Sequence, residues 1–267
     1  MKKLYIYITF ISLFVLIGCV EDIRLDFEFK EQVFISGLLT DESDFVSLQI
    51  QKTVPVTNTT FSAVNDAQVS LFTRDVLNSV SLVSDSFTVD NGTYTTTEMI
   101  NPTIGNAYWI EVVLPDQTTL KSEEEILKPP VPILDIVKTG NTVRITFRDQ
   151  IGEQNFYLSH IEVLRDGIVI TNVLDVFSDT VVTENLEEYL DISGINDGDT
   201  VRVSAFNINF NTFQFYNNVF REDQDDIEVL TLFSTTNIVG NITNTTTNKL
   251  ALGNFGIAGF STMTMDF

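Results

Sequence analysis

Apolar and polar residues alternate with a period of two through much of the chain, and this period is typical of half-buried β-strands. In residues 45–52, FVSLQIQK, Val46, Leu48 and Ile50 face one way and the residues between them are polar. Three further segments show the same period: AQVSLF at 67–72, AYWIEVVLP at 107–115 and NTVRITFRD at 141–149. The pattern predicts a chain built mainly of short strands.

Turn-forming residues separate these strands, for example Asp90-Asn91-Gly92 and Asp166-Gly167. The segment KPPVP, Lys128 to Pro132, favours a stiff connector because proline cannot join the interior of a sheet. Many short strands joined by such turns are typical of antiparallel sandwiches. We therefore expect an all-β fold of two tandem antiparallel β-sandwich domains of immunoglobulin- or fibronectin-like type. Their predicted bounds are 31–128 and 133–267, with a Pro-rich linker at 129–132.

One segment breaks the alternation. In INFNTFQFYNNVFRED, residues 208–223, Phe213, Tyr216 and Phe220 recur at helical spacing. This spacing predicts one short helix near 211–223 in the second sandwich, with the aromatic stripe in its core. Phe215 lies off the stripe, and we therefore consider it a candidate for contact with a ligand or partner.

The N-terminus has the layout of a secretory signal: two lysines are followed by an apolar run from Leu4 to Ile17. The run is too short to span a membrane comfortably. Leu16-Ile17-Gly18-Cys19 resembles the lipobox of bacterial lipoproteins, and Cys19 is the single cysteine of the chain. The sequence predicts a signal peptide at 1–18, lipidation of Cys19 and a tether at 19–30. The alternative is an ordinary signal peptide with a chance cysteine.

The chain is acidic, with 37 Asp and Glu against 15 Lys and Arg and a net charge of −22. Such a charge argues against nucleic-acid binding and against attraction to anionic lipid headgroups. A single cysteine leaves no pair for a disulfide, so packing and hydrogen bonds must hold the fold together.

No pattern for catalysis, a cofactor or a metal is found. His160 is the only histidine and has no serine or cysteine motif beside it. The acidic run EDQDD at 222–226 lacks the spacing of a calcium-binding loop. We expect a protein that is not an enzyme and that needs no cofactor or metal. Thr180 and Thr200 each lie in an Asp-Thr-Val triplet, which resembles the acceptor for O-glycans on exported Bacteroidota proteins.

Several stretches occur in an order that resembles a family. They are the lipobox, VFISGLLTDESDFVSLQIQKTVPV, DAQVSLF, NGTY followed by GNAYWIEVVLPD, the aromatic stretch at 206–220, STTNIVGNI and LALGNFGIAGF. Together they resemble a Bacteroidota group of outer-membrane lipoproteins catalogued as domain-of-unknown-function family 4249. The resemblance covers nearly all of the chain after Cys19. Members are often encoded beside TonB-dependent receptors. The resemblance therefore implies a location and a class of partner, without catalytic residues.

Glu21 and Asp22, just after Cys19, resemble the export signal that sends such lipoproteins to the cell surface. We expect a lipid-anchored, surface-exposed outer-membrane protein that acts as an accessory to a TonB-dependent receptor in nutrient uptake. Two alternatives remain open. One is a glycan- or peptide-binding module that uses Trp109, Tyr108 or the Phe-rich segment as a stacking platform. The other is a structural or adhesive surface lipoprotein.

Overall fold

The computed structural model of the chain describes residues 29–55, 60–148, 154–178, 187–224 and 239–267. Strands dominate these residues and one helix is present among them, which confirms the predicted all-β class. Residues Glu31–Phe267 form one compact unit.

Among the described residues, ten strands precede the Pro-rich segment: β1 (Val33–Thr40), β2 (Ser47–Lys52), β3 (Ser62–Ala63), β4 (Gln68–Arg74), β5 (Val80–Ser84), β6 (Phe87–Asp90), β7 (Thr93–Thr96), β8 (Ala107–Val113), β9 (Thr119–Ser122) and β10 (Glu125–Ile126). The elements after it are β11 (Ile133–Thr139), β12 (Thr142–Arg148), β13 (Phe156–Arg165), β14 (Ile168–Ser178), β15 (Glu187–Ser193), β16 (Thr200–Ile208), α1 (Phe210–Gln224), β17 (Val239–Asn244) and β18 (Lys249–Asp266).

The period-two segments form strands with the predicted faces. Val46, Leu48 and Ile50 are buried, and in β12 the buried residues alternate with exposed Arg144 and Arg148. The predicted turns also form: Asn91-Gly92 joins β6 to β7 and Asp166-Gly167 joins β13 to β14, each with two positive φ angles. Such angles give a tight hairpin the twist of its strands.

The first core combines residues from both ends of the chain. Its strands lie in the order β5-β4-β8-β9-β17-β18-β1-β2-β7-β6. Here β18 runs parallel to β1, with Leu38 opposite Gly256, and antiparallel to β17. Phe255 and Ile257 of β18 are fully buried in this core together with Ile35 of β1.

The second core lies between two sheets of the later half. One is the three-stranded sheet β11-β12-β15, and the other contains β14, β13, β16 and the second part of β18. Apolar residues of both sheets form the core, including Ile145 of β12 and Val203 of β16. Met263 and Met265, which alternate with polar residues in β18, pack against it.

The structure therefore differs from a tandem order in which 31–128 and 133–267 each close on themselves. One strand, β18, pairs with β1 through residues 252–258 and with β16 through residues 258–266. Its 18 residues reach roughly 60 Å at about 3.3 Å per residue. That length allows a single strand to serve both cores.

The Pro-rich segment also packs closely against this strand. A Cβ atom on Gly259 would lie 2.4 Å from the carbonyl oxygen of Lys128. Asn207 Nδ2 donates to the carbonyl of Pro129 at 3.0 Å, and Val131 is buried. Residues 129–132 are thus fixed to β16 and β18.

The helix agrees with its predicted position. The carbonyl of Asn209 accepts a hydrogen bond from the Phe213 amide at 2.9 Å, so Asn209 is the N-cap residue that precedes the helix. The predicted stripe of Phe213, Tyr216 and Phe220 packs against a small core that includes Phe156 of β13.

Candidate functional site

A carboxylate is buried where the two halves meet. Glu125, in β10, is 4% exposed, and none of the ion pairs among the described residues involves it. Thr212 Oγ1 donates to its Oε2 at 3.0 Å and Asn241 Nδ2 donates to its Oε1 at 3.1 Å. The amide of Ile257 donates to Oε2 at 3.2 Å. Burial raises the pKa of Glu125 to about 7, although these hydrogen bonds favour the charged form.

The donors come from separate elements. Thr212 is in the first turn of α1, and Asn241 and Asn254 are in β17 and β18. Asn254 Nδ2 donates to Thr212 Oγ1 at 3.1 Å, while Asn254 Oδ1 is buried without a hydrogen-bond partner. Gly256 allows this approach because a Cβ there would lie 2.8 Å from Thr212 Cγ2. We call Glu125, Thr212, Asn241 and Asn254 the Glu125 cluster. Its charge state changes near neutral pH and its hydrogen bonds connect four elements.

The structure places Trp109 under charged side chains. The indole is 3% exposed and stacks on Phe72, with ring centroids 5.5 Å apart. Lys121 Nζ lies 5.0 Å and Arg74 Cζ lies 5.7 Å from its ring centroid. Arg74 also forms two hydrogen bonds to Glu124, at 2.7 and 3.0 Å, and this pairing lowers the pKa of Glu124. Cations therefore occupy the position that a stacking ligand would need.

Phe215 is buried as well. It is 5% exposed, and its ring centroid lies 6.4 Å from that of Phe34 in β1. The helix therefore packs on two sides, with the predicted stripe on one side and Phe215 on the other. The signal was in the sequence, since Thr212, Phe215 and Val219 also recur at helical spacing.

Thr200 lies in a paired strand, where its Oγ1 donates to Asp266 Oδ1 at 2.6 Å. The preceding Asp199 is 1% exposed and accepts two hydrogen bonds from Arg165, at 2.7 and 2.8 Å. The acidic member of this triplet is thus engaged in an ion pair. Several other predicted residues lie outside the described residues: Cys19, Glu21, Asp22, Thr180 and the last two residues of the acidic run 222–226, Asp225 and Asp226.

An open cleft separates the two sheets of the second half along one side. Its volume is about 340 Å³, and its lining includes Ile161, Val173, Asp175 and Leu190. Among the described strands, β14 pairs only with β13 and β15 pairs only with β12, so both strands beside the cleft are edges. Desolvation raises the pKa of Asp175.

A second cavity, of about 540 Å³, lies beside the start of β1 and is lined by Glu31, Lys52, Asp66 and Asp116 among others. Lys52 supplies the one ammonium group among the described residues that line this cavity. That group is already paired, because Lys52 Nζ lies 2.8 Å from Glu31 Oε1. In the part of the chain that the structure describes, no three acidic, histidine or cysteine side chains are grouped as a metal site would require. No described helix is long and apolar enough to cross a membrane.

Comparison with protein families now identifies the chain. The family model described as a domain of unknown function, DUF4249, matches residues 20–264. The chain belongs to the DUF4249 family. Among solved structures, this DUF4249 protein is similar to a DUF3823 family protein from Parabacteroides merdae, with 13% identity and a TM-score of 0.22. That alignment covers 66% of this chain and 90% of the other, and its score is too low to establish a common fold. No curated protein matches the chain.

Most of the stretches that carry the family resemblance lie in the first core or in strands that pair beside it. VFISGLLT is β1, the segment GNAYWIEVV contains β8, and VGNI and LALGNFGIAGF belong to β17 and β18. In this DUF4249 protein they supply much of the first core and part of the Glu125 cluster. The resemblance therefore lies mainly in the strands that pack β1 and β8 together with β17 and β18. Glu125 itself was not predicted from the sequence.

Proposed function

We propose that this DUF4249 protein is a lipid-anchored outer-membrane protein, exposed at the cell surface, that acts as an accessory to a TonB-dependent receptor in nutrient uptake. The observation that carries the proposal is the position of Cys19, the single cysteine, at the end of the apolar N-terminal run. Several acyl chains on one residue anchor a protein firmly without a spanning helix. The resemblance to outer-membrane lipoproteins, carried by the lipobox and the stretches after it, implies the same location.

The geometry of the chain is compatible with such an anchor. The first strand begins at Val33, and the residues after Cys19 can extend up to roughly 45 Å at about 3.3 Å per residue. The net charge of −22 disfavours contact with anionic headgroups, which supports a body held away from the membrane. Glu21 and Asp22 support export to the outer face.

Peptide binding is the second candidate function, and the cleft between β14 and β15 favours it. Two edge strands beside a cleft lined by both apolar and polar side chains can accept an extended segment through backbone hydrogen bonds. A stacking platform for glycans receives less support, because Lys121 and Arg74 cover Trp109. For the second half we also propose an immunoglobulin- or fibronectin-like sandwich, supported by three strands that pack on four.

Cys19→Ser tests the anchor. We expect the wild-type chain to stay with outer membranes after a high-salt wash, and the Ser variant to be released. A Ser variant that remains with the membranes would contradict the anchor. The matched control is the double change Glu21→Gln and Asp22→Asn, which should keep membrane association and reduce cleavage by protease added to whole cells.

The partner class is tested by chemical crosslinking of intact outer membranes and purification of the tagged chain. We expect a TonB-dependent receptor to be the main crosslinked product for the wild type and to be absent for Cys19→Ser. Crosslinks only to other proteins would contradict the proposed receptor partner without contradicting the lipid anchor.

A further inference from the structure

The edge strand β14 has features that the proposed receptor accessory does not use, and the inference from them rests on the second candidate function, peptide binding. It is 11 residues long, and among the described strands it pairs only with β13. Ile168, Ile170 and Leu174 on it are 68%, 45% and 49% exposed. An unpaired strand of this length offers a row of free backbone donors and acceptors to another extended chain.

The inner side of the same strand faces the cleft. Thr171, Val173 and Asp175 line it from β14, and Leu190, Asp191, Ile192 and Ser193 line it from β15. Asp191 is already paired with Arg144, at 2.8 Å. Asp175 thus occupies a position where the alternation of the strand would place an apolar side chain. No ion pair to Asp175 is found among the described residues. A carboxylate in this position is complementary to a cation supplied from outside.

Two features of β14 disfavour pairing of its free edge with an arbitrary strand of another molecule. The register between β13 and β14 shifts between Val163 and Leu164, which leaves Ile170 as a bulge, and the exposed Asp175 places a carboxylate on the side of the strand that lines the cleft. Bulges and inward charges are common means by which edge strands avoid self-association. A second copy of the chain is also disfavoured, since two bodies of net charge −22 repel each other. The edge therefore selects against partners without a complementary charge.

We propose that β14 and the adjacent cleft bind an extended segment of a partner protein by strand addition, with a lysine or arginine of that segment paired with Asp175. Backbone hydrogen bonds to β14 supply the affinity, and alternate apolar side chains of the segment contact Val173 and Leu190 in the cleft. The ion pair with Asp175 supplies the specificity. This site acts in the purified chain whether or not Cys19 carries a lipid, so it can fail independently of the proposed anchor.

The test uses two synthetic nine-residue peptides that alternate threonine and valine and carry a central lysine or a central glutamate. Binding to the purified full chain is measured by fluorescence anisotropy. We expect the lysine peptide to bind about tenfold more tightly than the glutamate peptide. Asp175→Asn should remove this preference and Asp175→Lys should reverse it. Asp85→Lys, an exposed change of the same charge in the β5–β6 turn, should leave the preference intact.

Hydrogen exchange locates the bound peptide. We expect added protection at backbone amides of β14 and unchanged exchange in β5 and β6, two edge strands of the first half that do not line the cleft. Equal binding of both peptides, an Asp175→Lys variant that still prefers lysine, or protection confined to β5 or β6 would overturn the proposal. A dimer of Asp175→Asn in sedimentation would instead identify the occupant as a second copy, and would also overturn it.

Discussion

Thr212 Oγ1 donates to Glu125 Oε2 at 3.0 Å across 87 positions of sequence. This hydrogen bond joins the segment before the Pro-rich stretch to the helix of the second half. Asn241 and Ile257 reach the same carboxylate from β17 and β18. The ionisation of one side chain is therefore coupled to the packing of four elements.

Glu125→Gln should change how stability depends on pH. Burial raises the pKa of Glu125 from 4.5 to about 7, so between these values the folded chain binds a proton that the unfolded chain has lost. Stability from this group is therefore fully present below about pH 4.5 and is lost as the pH rises through 7, by roughly 3 kcal/mol. The Gln variant lacks this loss.

Urea unfolding at pH 5, 6, 7 and 8 measures the effect as the wild-type free energy of unfolding minus that of Glu125→Gln. We expect this difference to fall by about 2–3 kcal/mol over the range. The subtraction removes the repulsion among the other carboxylates, which both proteins share. A difference that stays constant with pH would show that the buried carboxyl keeps an ordinary pKa.

Gly253→Ala tests the close approach of β18 to β1. Gly253 has φ +102°, and a Cβ there would lie 1.8 Å from the carbonyl oxygen of Ile35. Gly194 has φ +91° but no atom within 4 Å of the same position, so its change to alanine imposes a similar backbone strain without the clash.

We expect Gly194→Ala to cost about 1 kcal/mol and Gly253→Ala to cost more than about 3 kcal/mol or to prevent folding. Denaturant midpoints of the two variants, measured with far-ultraviolet circular dichroism, give the comparison. Similar costs for both would show that β1 and β18 can separate at this point.

Periodicity predicted the strands, their buried faces and the tight turns, because these depend on neighbouring residues. It could not show which core a face serves. Phe255 and Met263 are in phase in the period-two alternation of the final strand, yet one packs in the first core and the other against the second. That assignment depends on the parallel pairing of β18 with β1, which joins residues far apart in sequence.

The residues next to Glu125 in sequence give no indication that it is buried. Glu123, Glu124 and Glu125 form an acidic run that predicts a solvated loop, and the first two are indeed exposed. Glu125 is buried because it lies in a short strand paired with β8, two residues before buried Leu127. The donors that make its burial tolerable come from elements more than 80 positions away, which no local pattern identifies.

Ile145→Ala tests whether the two cores unfold together. Ile145 is fully buried in the second core, while Trp109, the single tryptophan, lies in the first half. Because β18 pairs with both β1 and β16, we expect the loss of about 2–5 kcal/mol from the second core to lower the unfolding midpoint reported by Trp109.

Trp109 fluorescence and far-ultraviolet circular dichroism should then give the same shifted midpoint. Ile168→Ala is the control, since Ile168 is 68% exposed and its loss should change the midpoint little. A Trp109 transition that is unchanged in Ile145→Ala would mean that the halves unfold independently, as two tandem domains would.

Phe215→Ala distinguishes a core aromatic residue from a contact residue on α1. Phe215 is 5% exposed against β1, whereas Phe210, at the start of the same helix, is 50% exposed. Removing the buried ring should cost about 3–5 kcal/mol, since the space beneath the helix cannot fully collapse. Phe210→Ala should cost about 1 kcal/mol or less. Denaturation midpoints of the two variants distinguish the two roles. Equal small shifts would contradict the core assignment and make Phe215 a candidate for partner contact again.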